Sequence, residues 1–221
     1  KAKFEISQII NQLKGDRIGI IVFAGSSHLY LPLTSDYEAS QLFLDAIDTK
    51  MIPNQGTDLS TALRTAMSVF NKEDDKYKVM ILVTDGEDHE GAVIKLANTA
   101  LKSNIITHAV GVGTEKGSLI PMNNESSNNH YKRDKKGMLI TSKLNENMLI
   151  ELASAGGGIY SRFNNRDSKY KEIMSAIDNM EKRSIETHIY SEYEDRYQSF
   201  AAISLLFLTA GLIMPTRKKK I

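Results

Sequence analysis

Residues 79–91 read VMILVTDGEDHEG, an apolar run of strand length that passes directly into an acidic turn. A continuous apolar run of this length is typical of a strand that is buried on both faces of a parallel sheet. The acidic residues open a helix that the apolar spacing predicts over residues 90–103. A buried strand followed by a turn and an amphipathic helix is the repeating unit of α/β proteins.

The same alternation extends along the chain in both directions. Residues 18–24 read IGIIVFA, a second continuous apolar run, whereas residues 27–33 alternate as an edge strand does. Strands are predicted over residues 18–24, 27–33, 78–83, 105–112 and 158–163. Helices are predicted over residues 1–13, 36–47, 59–70, 90–103, 145–155 and 168–183. The pattern predicts a doubly wound α/β domain over residues 1–185, with a mostly parallel sheet and helices on both faces.

One segment of this domain does not fit the repeat. Residues 113–142 form a long polar insertion that is rich in Asn, Ser, Lys and Gly, with a predicted hairpin around residues 133–137. A long insertion in a compact domain is usually a functional rim or a mobile flap. The sequence leaves both interpretations open.

The C-terminal residues have a different composition. Residues 197–216 read YQSFAAISLLFLTAGLIMPT and carry no charge. As a helix they would extend about 30 Å, which matches the hydrocarbon core of a bilayer. A buried core helix is the alternative, but the apolar residues cover every face rather than one stripe. We therefore predict a stalk over residues 186–196, a transmembrane helix over residues 197–216 and a basic cytoplasmic tail over residues 217–221.

Composition excludes several classes of protein. The 221 residues include 28 Lys and Arg against 27 Asp and Glu, and a net charge of +1 argues against a nucleic-acid-binding protein. The chain has no Cys, which excludes disulfides, thiolate zinc sites, iron–sulfur clusters and cysteine nucleophiles. Its five His show no metal-ligand spacing, and the phosphate-binding motif G-x-x-x-x-G-K-[ST] does not occur.

Candidate ligand-binding residues follow the predicted strands, because ligands of open α/β sheets bind at the carboxyl ends of strands. Asp85 emerges from the buried strand at such an end, and Gly86 permits a tight turn. At the matching edge, Thr57 and Asp58 open the predicted helix over residues 59–70. Carboxylate and hydroxyl oxygens suit Mg²⁺, which makes these residues candidates for a hard-cation site. Taken by themselves they suit helix capping equally well.

Four segments together carry a resemblance to a known family. They are FEISQIINQLKGDRIGIIVFAGSSHLYLPLTSDYEAS from residue 4, IPNQGTDLSTAL from residue 52, VMILVTDGEDHEG, and the strand end VGVG from residue 110. With these segments the chain resembles the von Willebrand factor type A (VWA) domain over residues 1 to about 185. Within that family it is similar to the membrane-anchored bacterial aerotolerance (Bat) proteins of the BatB and BatA type.

The resemblance implies a metal-ion-dependent adhesion site (MIDAS). In the family a D-x-S-x-S motif ends the first strand, a Thr lies in a later loop, and an Asp follows the fourth strand. Thr57 and Asp85 match the last two positions. They would hold one divalent ion, usually Mg²⁺, whose open coordination position accepts a carboxylate from a protein partner. Glu87 and Asp88 would either tune this site from its rim or cap the helix.

The sequence departs from the family pattern at the first strand. No D-x-S-x-S motif occurs, and the chain begins, without an initiator Met, inside what would be the first helix. We therefore expect a fragment or processed product, with the first strand and its ligands upstream of Lys1. That strand is central in the family's sheet, and its absence would leave backbone groups unpaired there. We expect the isolated chain to bind Mg²⁺ poorly and to lose stability.

These expectations describe a non-enzymatic protein-binding module anchored in the bacterial cytoplasmic membrane, with its VWA domain on the non-cytoplasmic side. The resemblance implies partners in a membrane complex: other VWA proteins, a tetratricopeptide-repeat protein and a MoxR-type AAA+ ATPase. Two alternatives stay open. One is a Mg²⁺-dependent phosphotransferase or hydrolase, which a carboxylate at a strand end would suit. The other is a passive membrane-tethered spacer, in which the acidic turn only caps a helix.

Overall fold

The structure, a computed structural model, describes residues 2–54, 56–70, 78–87, 92–114, 116–119, 131, 133, 137–139, 141–163, 171–180 and 202–209. The chain divides into two compact units, Lys1–Met180 and Glu181–Ile221. The first unit contains all the strands named below, and the second contains the helical residues 202–209.

Helices and strands alternate through the first unit. The helices are α1 (Ala2–Gln12), α2 (Tyr37–Ala46), α3 (Leu59–Val69), α4 (Val93–Lys102) and α5 (Glu146–Ala155), and residues 171–180 are also helical. The strands are β1 (Ile18–Phe23), β2 (Ser27–Thr34), β3 (Lys78–Thr84), β4 (Ile105–Gly111), β5 (Ser118–Leu119), β6 (Thr141–Ser142) and β7 (Gly157–Arg162). The short strands β5 and β6 were not among the predicted ones.

Strands β3, β4 and β7 form a parallel sheet in the order β3-β4-β7. β3 and β4 pair without interruption, from Lys78 opposite Ile105 to Thr84 opposite Gly111. β4 is buried at every position except Ile106, as expected for a strand that is covered on both faces. The predicted α/β fold with a parallel sheet is confirmed.

Neighbouring residues of β3 point to two different layers of helices. On one face, Met80 and Leu82 belong to the main core, to which α3, α4 and α5 contribute buried side chains. On the other face, Ile81 packs against a smaller cluster that contains Ile9 of α1 and Met174 of the helical residues 171–180. Since side chains alternate across a strand, this arrangement covers both faces of the sheet.

The described strands do not form one continuous sheet. β1 and β2 form an antiparallel pair of their own, β5 and β6 form a second short pair, and β1 is not hydrogen-bonded to β3. No described strand pairs with both β1 and β3. The described strands therefore form three separate groups rather than a single sheet.

The polar insertion is described in part. β5 and β6 pair near its two ends, and Arg133 and Leu139 form an antiparallel bridge where the hairpin is predicted. The guanidinium of Arg133 also donates to the Gly137 carbonyl at 2.7 Å. These contacts fold the described part of the insertion back on itself.

The C-terminal predictions fall largely outside the described residues. Of the transmembrane helix predicted over residues 197–216, the structure describes residues 202–209, which are helical and exposed. No helix in the described ranges combines the length and apolar character needed to cross a bilayer. The predicted stalk (186–196) and basic tail (217–221) lie outside the described residues.

Candidate functional site

The carboxyl ends of β1 and β3 open into one cavity of about 520 Å³. Phe23 and Ala24 line it from the end of β1, Val83 and Asp85 line it from the end of β3, and Thr57 lines it from the loop before α3. The side chains of Thr57 and Asp85 are both half-buried. The structure therefore brings the two predicted metal-site residues to the same cavity, at the edge where α/β proteins bind ligands.

Backbone contacts hold the Thr57 loop against the end of β1. The N–H of Asp58 donates to the Ala24 carbonyl at 2.8 Å. Gly56 has a φ of 136°, a conformation that favours glycine, whereas a Cβ at this position would make only an ordinary contact of 3.6 Å with the Gly25 Cα. The glycine is thus needed for the backbone conformation of the loop that carries Thr57 to the cavity.

Asp58 is the N-cap of α3. Its carboxylate accepts a hydrogen bond from the Thr61 N–H at 2.8 Å, and the Thr61 hydroxyl donates to its second oxygen. The Thr61 hydroxyl, followed by the Thr61 N–H, holds the pKa of Asp58 below its ordinary value, because these bonds stabilise the charged form. Thr57 and Asp58 were both candidates for the cation site, and Asp58 instead caps α3.

A tight turn carries Asp85 out of β3. Gly86 has a φ of 76°, and a Cβ at this position would lie only 2.9 Å from the Asn145 carbonyl oxygen. The N–H of Gly86 donates to the Thr84 hydroxyl at 3.2 Å. The turn therefore needs glycine both for its backbone conformation and for its close contact with the segment before α5.

The end of the polar insertion closes over this acidic turn. The Ser142 hydroxyl donates to Asp85 Oδ2 at 2.7 Å, and the Lys143 N–H donates to Glu87 Oε1 at 2.9 Å. The Asn145 N–H donates to the Asp85 carbonyl at 2.9 Å. Both carboxylates of the described turn thus accept hydrogen bonds from one segment, whereas the candidate Asp88 lies outside the described residues.

Two residues of this region were missed by sequence reasoning. Ser142 lies 57 residues from Asp85 along the chain, and no local pattern indicates that they meet. Asp48 follows α2 and lines the same cavity with an exposed carboxylate. Its Oδ1 accepts from the Lys50 N–H at 2.8 Å, a local contact that is typical of an Asp in a turn.

The donor groups suit a hard cation, but few of them are present. Mg²⁺ prefers six oxygen ligands in octahedral geometry and usually keeps several waters. Thr57 offers one hydroxyl and Asp85 offers one carboxylate. One oxygen of that carboxylate already accepts a hydrogen bond from the Ser142 hydroxyl. Within the described ranges, no group of three or more His, Asp or Glu side chains could hold a metal ion. The residues therefore fit part of a cation site.

Comparison with known proteins identifies relatives of similar fold and sequence. BatB from Bacteroides thetaiotaomicron is 39% identical, with a TM-score of 0.77 over 82% of this chain and 87% of its own. An aerotolerance-related membrane protein from Bacteroides fragilis is 37% identical, with a TM-score of 0.75 over 80% of this chain and 87% of its own. A curated protein from Borreliella burgdorferi is 22% identical over 210 residues, which are 94% of this chain and 59% of that protein.

The family follows from a match over most of the chain. The model of the von Willebrand factor type A domain matches residues 1–147, which include both Thr57 and Asp85. The two Bacteroides structures are similar to this chain in sequence as well as in fold. The chain belongs to the von Willebrand factor type A domain family and resembles the Bat proteins within it.

Proposed function

We propose that this chain is a membrane-anchored module that binds protein partners through a divalent cation, Mg²⁺, held in part by Thr57 and Asp85. The observation that carries the proposal is that these two half-buried oxygen donors line one cavity at the carboxyl ends of β1 and β3. Membership of the VWA family supports it, because VWA domains are typically interaction modules rather than enzymes.

The chemistry of these donors favours an acidic partner. A divalent ion held by one hydroxyl and one carboxylate keeps a net positive charge and open coordination positions. A carboxylate of the partner would occupy one of them. Proximal thread matrix protein 1 from the mussel byssus shares the fold with a TM-score of 0.57 at 15% identity, and its MIDAS motif holds zinc. That protein supports the proposal as an example of a cation held by a protein of this fold.

Membrane attachment is the second part of the proposal. The uncharged residues 197–216 would anchor the chain in the bacterial cytoplasmic membrane, with the VWA domain on the non-cytoplasmic side. The relative from Bacteroides fragilis is an aerotolerance-related membrane protein, which supports association with a membrane. Other VWA proteins, a tetratricopeptide-repeat protein and a MoxR-type ATPase are the proposed partners in an aerotolerance complex.

Capture of these partners from solubilised membranes by the complete protein, in Mg²⁺ or in a chelator, tests the proposal. Asp85→Ala is expected to lower Mg²⁺-dependent capture more than about tenfold while the circular dichroism spectrum is unchanged, because the substitution removes the carboxylate ligand. Asp48→Asn is the matched control, since it removes a charge from the same cavity and should leave capture intact. Equal capture by the wild type and Asp85→Ala would contradict the proposal and favour the passive spacer.

A further inference from the structure

The tip of the polar insertion combines positive charge with exposed apolar residues. Residues 131–139 read YKRDKKGML, and we call this segment the basic hairpin. It contains four Lys and Arg against one Asp, whereas the whole chain has a net charge of only +1. The basic hairpin is therefore a local concentration of positive charge on a nearly neutral protein.

The large apolar residues of the basic hairpin are exposed. Tyr131, Met138 and Leu139 are 43%, 68% and 45% exposed, respectively. Single exposed apolar residues are ordinary on a protein surface, but here three of them lie within nine residues that the fold does not bury. A concentration of exposed apolar residues beside charged ones is typical of a surface that contacts something outside the domain.

The backbone of the basic hairpin forms a turn at its tip. Arg133 and Leu139 pair as an antiparallel bridge, and the Arg133 guanidinium donates to the Gly137 carbonyl at 2.7 Å. Gly137 has a φ of 79°, and a Cβ at this position would meet no atom of the described residues within 4 Å. The turn thus stands clear of the described part of the domain, where a large flat partner can reach it.

The composition of the basic hairpin fits an anionic bilayer surface better than an acidic protein. Three of its four basic residues are Lys, which is depleted at protein–protein interfaces. At a bilayer surface, Lys and Arg are attracted to anionic headgroups, while aromatic and aliphatic side chains enter the boundary between headgroups and acyl chains. The long Lys side chain lets the charge stay at the headgroups when neighbouring apolar residues lie deeper.

We infer that the basic hairpin binds anionic phospholipid headgroups at the surface of a bilayer. The inference rests on the membrane location proposed above but not on the cation, since Thr57 and Asp85 lie outside the hairpin. Each basic side chain near an anionic surface strengthens the association about fivefold. A second point of contact, besides the anchor, would restrict the orientation in which the VWA domain meets its partners.

Tryptophan fluorescence in vesicles tests this inference, because the chain contains no Trp. Leu139→Trp places a single reporter in the basic hairpin of the whole chain, reconstituted with the VWA domain on the outer surface of the vesicles. In phosphatidylcholine mixed with phosphatidylglycerol, we expect a blue-shifted emission and quenching by spin-labelled lipid. In phosphatidylcholine alone, quenching should be at least about threefold weaker. Salt at about 1 M, which shortens the Debye length to about 3 Å, should also remove the quenching.

Leu42→Trp is the matched control reporter. Leu42 is 71% exposed on α2, between the acidic residues Glu38 and Asp45 of the same helix, and its substitution should give no quenching in either lipid. A second variant combines Lys135→Gln and Lys136→Gln with Leu139→Trp. The loss of two basic side chains should weaken the association more than about tenfold, so that quenching in anionic vesicles falls to its level in phosphatidylcholine.

Flotation separates this inference from the proposed anchor, because an anchored chain floats with phosphatidylcholine vesicles whereas the hairpin requires anionic lipid. A chain that does not float with phosphatidylcholine but is quenched in anionic vesicles would refute the anchor alone. Equal quenching of Leu139→Trp in both lipids, its absence in both, or its persistence without the two lysines would overturn the inference. So would a blue shift that requires added polyglutamate instead of lipid, which would assign the hairpin to an acidic protein.

Discussion

Asp58 and Asp85 show how neighbouring groups assign different roles to the same residue type. Asp58 directs its carboxylate back into its own helix, where Thr61 holds both oxygens. Asp85 directs its carboxylate across the fold to Ser142 and lines the cavity. Its other oxygen, Oδ1, accepts from the Glu87 N–H at 3.4 Å. A carboxylate has about four lone-pair sites, so that these two bonds leave others for a ligand. We therefore regard Ser142 as a residue that orients Asp85.

Replacing Ser142 tests that orienting role. Because partners that orient a metal ligand typically contribute tenfold to a hundredfold in affinity, Ser142→Ala should weaken divalent-cation binding about tenfold. The measurement is a titration with Mn²⁺, followed by its effect on amide signals. Ser103→Ala is a control, since its hydroxyl contacts only the Thr99 carbonyl of its own helix. An unchanged affinity in Ser142→Ala would show that the bond has no part in the site.

His108 predicts a pH dependence of stability. It is 1% exposed in β4, its Nδ1 accepts from the Ile159 N–H at 3.1 Å, and burial lowers its pKa below the ordinary 6.5. The unfolded chain therefore binds a proton more readily than the folded chain. The free energy of unfolding should fall as pH drops below about 6.5, by at most about 1.4 kcal/mol per pH unit for this one group.

The variant His108→Gln isolates this contribution, since glutamine can accept a hydrogen bond but does not titrate. Urea unfolding at pH 7 and pH 5 should show a smaller difference in the variant than in the wild type. If the free energy of unfolding differs equally between pH 7 and pH 5 in both proteins, His108 does not contribute to the pH dependence of stability.

At the scale of elements, the spacing of apolar residues predicted the strands and helices that depend on local sequence pattern. β3, β4 and the helices follow runs and periodicities that the sequence carries by itself, and their bounds agree within a few residues. The contact of Ser142 with Asp85 joins residues far apart in the chain, and the division of the sheet depends on which strands pair with each other. Neither feature could be predicted from local sequence pattern, because strand pairing depends on which strands meet in space.

The pairing of β4 with β7 contains a bulge that local pattern did not indicate. The register shifts between Thr107 and Ala109, and the N–H of Ile159 bonds the imidazole of His108 rather than the backbone ladder. Gly158 lies at this bulge, where a Cβ would collide with the Thr107 carbonyl oxygen. The absence of a side chain thus allows the two strands to approach.

Gly158→Ala is expected to reduce the free energy of unfolding by about 3 kcal/mol, because backbone atoms cannot move aside as a flexible side chain can. Chemical denaturation at constant pH measures the change. Gly15→Ala is the comparison: its Cβ would meet nothing within 4 Å, although its φ of 88° costs about 1 kcal/mol. Equal effects of both substitutions would contradict the close approach at Gly158.

At the scale of the whole molecule, the divided sheet and the two candidate ligands meet at one cavity. The resemblance predicted a sheet without its central strand, and the described strands form three separate groups: β1 with β2, β3 with β4 and β7, and β5 with β6. The same resemblance predicted Thr57 and Asp85 as ligands, and the structure brings both to that cavity. Their role as ligands stays a prediction, as does the anchor over residues 197–216.

Mn²⁺ titration followed by amide NMR of the chain tests the proposed cation site most directly, because paramagnetic broadening locates even a weakly bound ion. The signals of Asp58 and Gly86, which flank the two proposed ligands, should broaden first. Asp85→Asn should remove this broadening, and Asp48→Asn should retain it. Broadening that avoids Asp58 and Gly86, or that persists unchanged in Asp85→Asn, would mean that Thr57 and Asp85 do not hold the ion.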